Sequence, residues 1–66
     1  MQIQLNGQPF EAADKQTISA LLEQVEVGAQ RYAVEVNESI VPRSAHATYE
    51  LTEGDQVEIV VAIGGG

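Results

Sequence analysis

The residues best suited to carry chemistry are the last three, Gly64, Gly65 and Gly66, which follow a run of β-branched residues almost directly. Glycine loses more conformational freedom on ordering than any other residue, so we expect residues 64–66 to form a flexible tail. Bare backbone can enter a channel that side chains would block. The group carried into such a channel would be the α-carboxylate of Gly66, which is ionised at neutral pH. The alternative is a frayed end without function.

The remaining side chains give little reason to expect catalysis or metal binding. The sequence has no cysteine, which excludes disulfides, a thiol nucleophile and cysteine-ligated metals. His46 has no cysteine, aspartate or second histidine in register, so we predict an exposed structural histidine and not a ligand or base. A chain of 66 residues also leaves little room for an enclosed active site. We therefore predict that the protein is not an enzyme and has no catalytic residue or metal site.

The charge balance is strongly acidic, because ten acidic residues stand against Lys15, Arg31 and Arg43 and give a net charge of −7. Binding to a phosphate backbone needs clustered basic side chains, so nucleic acid is excluded as a partner. An acidic surface most often serves solubility, and the functional alternative is docking on a basic protein surface. The sequence shows neither a secretory signal nor a run of membrane-spanning length. We expect a soluble, cytoplasmic protein that does not bind membranes.

The segment that must position the tail is residues 57–63, whose valines and isoleucines predict a strand. Successive side chains of a strand point to opposite faces. One face carries Val57, Ile59, Val61 and Ile63, and the other carries Glu58, Val60 and Ala62. We expect the first face to pack on the core and the second to stay open. Partner binding is assigned to the apolar residues near the tail, which are Val60, Ala62 and Ile63.

The N-terminal part of the chain predicts a β-hairpin. Residues 1–5 alternate apolar and polar types, as a strand with one buried face does. Asn6-Gly7 follows, and this pair favours a type I′ turn because both central residues of that turn need positive φ. The return strand, residues 8–12, contains Pro9, which cannot donate to a ladder and therefore indicates an edge strand or a strand start.

A helix and several short elements complete the chain. Apolar residues at helical spacing follow Thr17, the predicted N-cap, and Gly28 is the predicted stop. These apolar residues, which would share one face of the helix, are Ile18, Leu21, Leu22 and Val25. Beyond the helix we predict a strand at 32–36, a short strand at 40–41, one helical turn within 44–48, and a turn at 53–55 before the last strand.

These elements predict an α+β domain of the β-grasp (ubiquitin-like) type. It would have a mixed sheet of four to five strands with one helix packed on one face. The first and last strands would lie parallel in the centre, which places Val60 and Ala62 beside Gln2 and Gln4. We expect residues 1–66 to form a single domain with a flexible tail at 64–66.

Several segments resemble one known family along the whole chain. They are residues 36–43 (Val-Asn-Glu-Ser-Ile-Val-Pro-Arg), residues 53–55 (Glu-Gly-Asp), and residues 58–63 leading to the final Gly65-Gly66. With these motifs the sequence resembles the ThiS family, the sulfur carrier proteins of thiamine (thiazole) biosynthesis. The asparagine turn followed by Val-Pro-Arg is fairly specific to it, whereas other ubiquitin-like proteins also end in Gly-Gly. The extra Gly64 departs from the family pattern and lengthens the tail.

The resemblance implies a function for the tail. An E1-like adenylating enzyme would use ATP and magnesium to adenylate the Gly66 carboxylate, and a sulfur donor protein would convert the adenylate to a thiocarboxylate. Thiazole synthase would then take the sulfur into the thiazole ring. This chain would itself bind no cofactor. Two alternatives stay open at this point: a carrier subunit of a molybdopterin-synthase-like complex, and a plain β-grasp binding module with an inert tail.

Overall fold

The computed structural model describes residues 1–27 and 31–61. In chain order its elements are β1 (Gln2–Leu5), β2 (Gln8–Glu11), α1 (Ile18–Val25), β3 (Tyr32–Val36), β4 (Ser39–Val41), a 3-10 turn (Arg43–Ala45) and β5 (Gln56–Val61). The strands form one sheet in the order β2-β1-β5-β3-β4. The central pair, β1 and β5, is parallel, while the other pairs are antiparallel. This confirms the predicted β-grasp architecture.

The opening hairpin forms as its turn residues require. Asn6 and Gly7 both have positive φ, at 50° and 80°, which is the backbone of a type I′ turn. The turn sets the register, since Leu5 lies opposite Gln8. Pro9 lies in β2 at the sheet edge, where its missing N–H disrupts no central ladder.

The helix begins where the sequence predicts it to begin but ends earlier than expected. Thr17 is extended, and its hydroxyl accepts a hydrogen bond from the backbone N–H of Ala20 at 3.2 Å. At the other end, Glu26 takes the left-handed conformation with φ of 54° and closes the helix after Val25. The predicted stop, Gly28, lies outside the described residues.

The core lies between α1 and one face of the sheet. Ile18 and Leu21 of the helix are fully buried against it, which anchors α1 through its apolar stripe. The buried residues of this cluster are Ile3, Ala12, Ile18, Leu21, Val34, Val36, Val41, Leu51 and Val57. The opposite sheet face, called the open face below, includes Ala33 and Glu35 on β3, Ile40 on β4, and Gln56, Glu58 and Val60 on β5. All of these except the half-buried Glu35 are exposed.

The prediction that His46 is exposed is wrong. The side chain is only 5% exposed, and its Nε2 lies 3.0 Å from the carbonyl oxygen of Val41. The imidazole also stacks on the ring of Tyr32, with ring centroids 6.3 Å apart and planes 22° apart. The physical reason is that the 3-10 turn folds back over β3 and β4, so that the segment predicted as a surface turn becomes part of the packing.

A group of side-chain hydrogen bonds joins the turn after β3 to the start of β5. Asp55 is 7% exposed and accepts hydrogen bonds from the backbone N–H of Thr52 at 2.8 Å and from Nδ2 of Asn37 at 3.0 Å. Asn37 in turn accepts from the backbone N–H of Gln56 at 3.0 Å. Each buried side-chain polar atom here has a partner, so these hydrogen bonds offset the cost of burying Asp55 and fix the position where β5 begins.

Candidate functional site

The site is built on β5, the strand that leads to the C-terminal glycines. β5 is the middle strand of the sheet and pairs with β1 on one side and β3 on the other. Its last described pair joins Val61 to Tyr32. The predicted tail, Gly64, Gly65 and Gly66, lies outside the described residues, as do the predicted contact residues Ala62 and Ile63. Their roles stay predictions.

The side chain of Asn6 supports β5 beyond the point where β1 ends. The backbone N–H of Asn6 donates to the carbonyl oxygen of Val57 at 2.8 Å. The side-chain Oδ1 of Asn6 accepts a hydrogen bond from the backbone N–H of Ile59 at 2.8 Å. The side chain thereby replaces a backbone acceptor and extends the β1 side of the ladder toward the tail. The sequence did not predict this role. An Asn-Gly pair indicates the backbone conformation of a turn, but it does not indicate which residue hydrogen-bonds to the side chain of the asparagine.

The two faces of β5 differ as predicted over the described residues. Val57 is 1% exposed, and Ile59 and Val61 are half-buried on the helix side. Val60 is 52% exposed, which is unusual for a large apolar side chain in a central strand. The strand therefore buries one face and offers the other to solvent.

The predicted neighbours of Val60 are wrong. Gln4 lies opposite Gln56 at the start of β5, whereas Val60 lies opposite Ala33 of β3. The reason is register: β1 ends at Leu5, before β5 reaches position 60. The surface around Val60 is therefore formed from the β3 side of the sheet.

A shallow hollow surrounds Val60 on that side. It is lined by Arg31, Tyr32, Ala33, Arg43 and Val60. The guanidinium carbon of Arg43 lies 4.6 Å from the centroid of the Tyr32 ring, within the range of a cation–π interaction. Tyr32 is backed by the buried His46. The stack of three side chains positions a cation close to Val61, the last described residue of β5, which pairs with Tyr32.

The opposite end of the open face is acidic. Glu38 and Glu58 line a second hollow there together with Gln4, Gly7, Gln56 and Val57. Glu58 also lies directly opposite Glu35 in the β3–β5 pairing. Next along that row is Ile40, opposite Glu35 on β4 and 68% exposed. The open face thus combines exposed apolar side chains with carboxylates at this end and with Arg31 at the other. Arg43 also lines a hollow on the helix side together with Glu23 and Glu26.

Within residues 1–27 and 31–61, no group of three or more His, Asp or Glu side chains is arranged to hold a metal ion. The buried polar residues, His46 and Asp55, are occupied by hydrogen bonds inside the fold. In the same ranges no helix has the length and apolarity needed to cross a bilayer. The site therefore consists of β5, which is paired on both sides and precedes the last residues of the chain. The exposed side chain of Val60 lies on its open face.

Comparison with known proteins places this site in context. A model of the ThiS family matches residues 3–66. The chain is 38% identical over 66 residues to the sulfur carrier protein ThiS of Escherichia coli K12, and the match covers 100% of both chains. It is also 39% identical over 66 residues to a thiazole synthase of Paramagnetospirillum magneticum, of which it spans only 20%.

A solved structure of a ThiS protein has the same fold as this chain. The crystal structure of the thiamine biosynthesis protein ThiS from Geobacter metallireducens superimposes with a TM-score of 0.85. The two sequences are 30% identical, and the superposition covers 100% of each chain. The likeness thus includes every strand of the sheet and the helix.

Proposed function

Because the chain belongs to the ThiS family, we propose that it is a sulfur carrier of thiamine biosynthesis that acts through the carboxylate of Gly66. The observation that carries the proposal is the full-length match to a sulfur carrier protein of the same family, which runs through residue 66. The central position of β5, paired on both sides, supports it, because a rigid strand is a suitable base for presenting the residues that follow.

The proposed chemistry explains why a chain end is needed. A carboxylate is a poor acyl donor, since oxide is a poor leaving group. An E1-like adenylating enzyme would let a Gly66 oxygen attack the α-phosphorus of ATP, with loss of pyrophosphate. Sulfur supplied by a donor protein at the oxidation level of sulfide would then attack the acyl carbon and displace AMP, which leaves a thiocarboxylate with sulfur in place of one oxygen. In this scheme the chain is a cytoplasmic, carried substrate, and ATP and magnesium belong to its partner.

Thiazole synthase is the proposed acceptor of the sulfur. The likeness of this chain to part of a thiazole synthase supports the link, because a carrier segment on the same polypeptide as its acceptor has a high effective concentration there. A thiocarboxylate suits the transfer, since its sulfur is a better nucleophile than a carboxylate oxygen.

The proposal is tested by mass spectrometry of the intact protein after coexpression with the adenylating enzyme and the sulfur donor. We expect one oxygen to be replaced by sulfur at Gly66. Oxidation of Met1 would add nearly the same mass, so the product should be treated with a thiol-alkylating reagent. The sequence has no cysteine, and alkylation localised to the C-terminal peptide therefore reports the thiocarboxylate. Protein coexpressed with the sulfur donor but without the adenylating enzyme is the control, and an unmodified C-terminus in the complete system would contradict the proposal.

The exposed Val60, together with Ala62 and Ile63, is proposed to contact the partner enzymes. Burying a valine side chain contributes about 1.5–3 kcal/mol, so Val60→Asp should weaken binding to the adenylating enzyme about tenfold or more. Isothermal titration calorimetry measures the affinity, and a thermal melt should show little loss of stability. Ala13→Asp adds the same charge in an exposed loop before α1 and should bind normally. Unimpaired binding by folded Val60→Asp would move the contact surface elsewhere.

A further inference from the structure

Two asparagine side chains hold β5 at different points along its length. Each asparagine occupies the first central position of a hairpin turn and has positive φ, at 50° for Asn6 and 52° for Asn37. The Oδ1 of Asn37 accepts a hydrogen bond from the N–H of Gln56, the first residue of β5, at 3.0 Å. The Oδ1 of Asn6 accepts from the N–H of Ile59, further toward the C-terminus, at 2.8 Å. The strand is therefore tied to one turn at its start and to another nearer the tail.

The bond to Asn6 lies where the pairing of β5 becomes one-sided. Pairing with β1 ends at Leu5 and Val57, whereas pairing with β3 continues to Val61. Because the N–H of Asn6 donates to the carbonyl oxygen of Val57, a regular parallel ladder would next have the N–H of Ile59 donate to the main-chain carbonyl of Asn6. The side-chain oxygen of Asn6 takes the place of that carbonyl. It thus holds β5 on the side that β1 no longer covers.

The acceptor on Asn6 is a property separate from the turn that it forms. Asn-Gly, Asp-Gly and Gly-Gly all suit a type I′ turn, so the turn alone does not require a side chain at this position. Glycine would keep the positive φ and the N–H that donates to Val57, but it would offer no acceptor to Ile59. Asparagine and aspartate tolerate the left-handed region and also carry a side-chain oxygen. Position 6 therefore combines a turn with support for a neighbouring strand.

Packing alone holds the far part of β5 less firmly than its start. Val57 is 1% exposed, whereas Ile59 and Val61 are only half-buried and border a hollow at the end of the core. The lining of this hollow is Leu5, Asn6, Val25, Glu26, Val27, Ile59 and Val61. Where fewer apolar contacts restrain a segment, each remaining hydrogen bond has a larger share in fixing its direction.

We infer that Asn6 is a positioning residue for the adenylation of Gly66. Its side chain fixes the direction of β5 beyond Ile59, and with it the direction in which the following residues leave the sheet. The inference rests on the proposed function, because it concerns delivery of the same carboxylate to the same adenylating enzyme. A strand whose direction is already fixed loses less conformational freedom when the residues after it enter an enclosed site. Asn6 itself contacts neither ATP nor the carboxylate.

Two substitutions separate the acceptor from the turn. ATP–pyrophosphate exchange is measured with the purified adenylating enzyme, at a temperature where thermal melts show each variant to be folded. Asn6→Gly should lower kcat/KM for the carrier about threefold to tenfold, the loss expected for one hydrogen bond. Asn6→Asp keeps a side-chain oxygen and should restore most of the activity. Hydrogen exchange followed by NMR should be faster at the amide of Ile59 in Asn6→Gly and remain slow in Asn6→Asp.

Asn37→Gly is the matched control. It makes the same substitution in a turn of nearly the same φ and also removes an acceptor for an N–H of β5. It further removes the hydrogen bond from Asn37 to the buried Asp55, so it should lower Tm at least as much as Asn6→Gly does. Because it acts at the start of the strand, far from the tail, it should leave kcat/KM unchanged.

The outcomes distinguish positioning from stability. Unchanged kcat/KM in Asn6→Gly, an equal loss in Asn6→Asp, or an equal loss in Asn37→Gly would each overturn this inference alone. Failure of Asn6→Gly to fold would overturn it as well, because the side chain would then act on the stability of the whole domain. Absence of exchange with the unchanged protein would instead overturn the proposed function, and this inference with it.

Discussion

Extending the chain beyond Gly66, or deleting Gly66, is expected to abolish adenylation and leave the stability of the fold unchanged. The attacking oxygen must reach the α-phosphorus of ATP at a set depth, and displacement by even one residue moves it by about 3.5 Å. Displacements of about 1 Å in a reacting group already cost large factors in rate. The cluster of buried residues in the described fold ends at Val57, with Ile59 packed against it, so the change lies beyond the core.

ATP–pyrophosphate exchange with the adenylating enzyme measures this effect. A protein with a C-terminal tag should give no exchange above background, and exchange should return after a protease has removed the tag to restore Gly66. The cleaved sample is the matched control, because it has passed through the same purification. Normal exchange by the tagged protein would contradict the carrier mechanism.

Val57→Asp is expected to unfold the domain. Val57 is 1% exposed in the middle strand, and it lies between Leu5 of β1 and Val36 of β3. Placing an unpaired carboxylate there costs several kcal/mol, while the whole stability of a native domain is only about 5–15 kcal/mol. A domain of this size has little reserve, since short chains bury a smaller share of their surface.

Circular dichroism during thermal and urea denaturation tests the prediction. Val57→Asp should show no cooperative transition, whereas Val60→Asp, with the same chemical change three residues along the same strand, should melt close to the unchanged protein. Ile59→Asp should fall between them, because Ile59 is only half-buried. A cooperative melt of Val57→Asp at the normal temperature would mean that the strand does not pack on the helix through this face.

The local elements and the candidate tail followed from the residues themselves. Apolar residues at every second position indicate β1 and β5, and apolar residues spaced about 3.6 positions apart indicate α1. Asn6-Gly7 indicates a turn with positive φ. These features depend on neighbouring residues, so a sequence reveals them directly. The resemblance of residues 36–43 then indicated the family, and with it the role proposed for Gly66.

Contacts between distant parts of the chain were decided by the tertiary structure. The register of β5 against β3 sets Val60 beside Ala33, and the fold brings Arg31 and Arg43 to one hollow. Packing of the 3-10 turn buries His46. The sequence around His46 has no regular spacing of apolar residues that would have predicted this burial. The sequence determined which residues could form strands, the helix and a glycine tail, because local backbone preferences act between neighbours. The charged side chains that lie near Val60 were set by the tertiary structure, because their positions depend on how the strands align and pack.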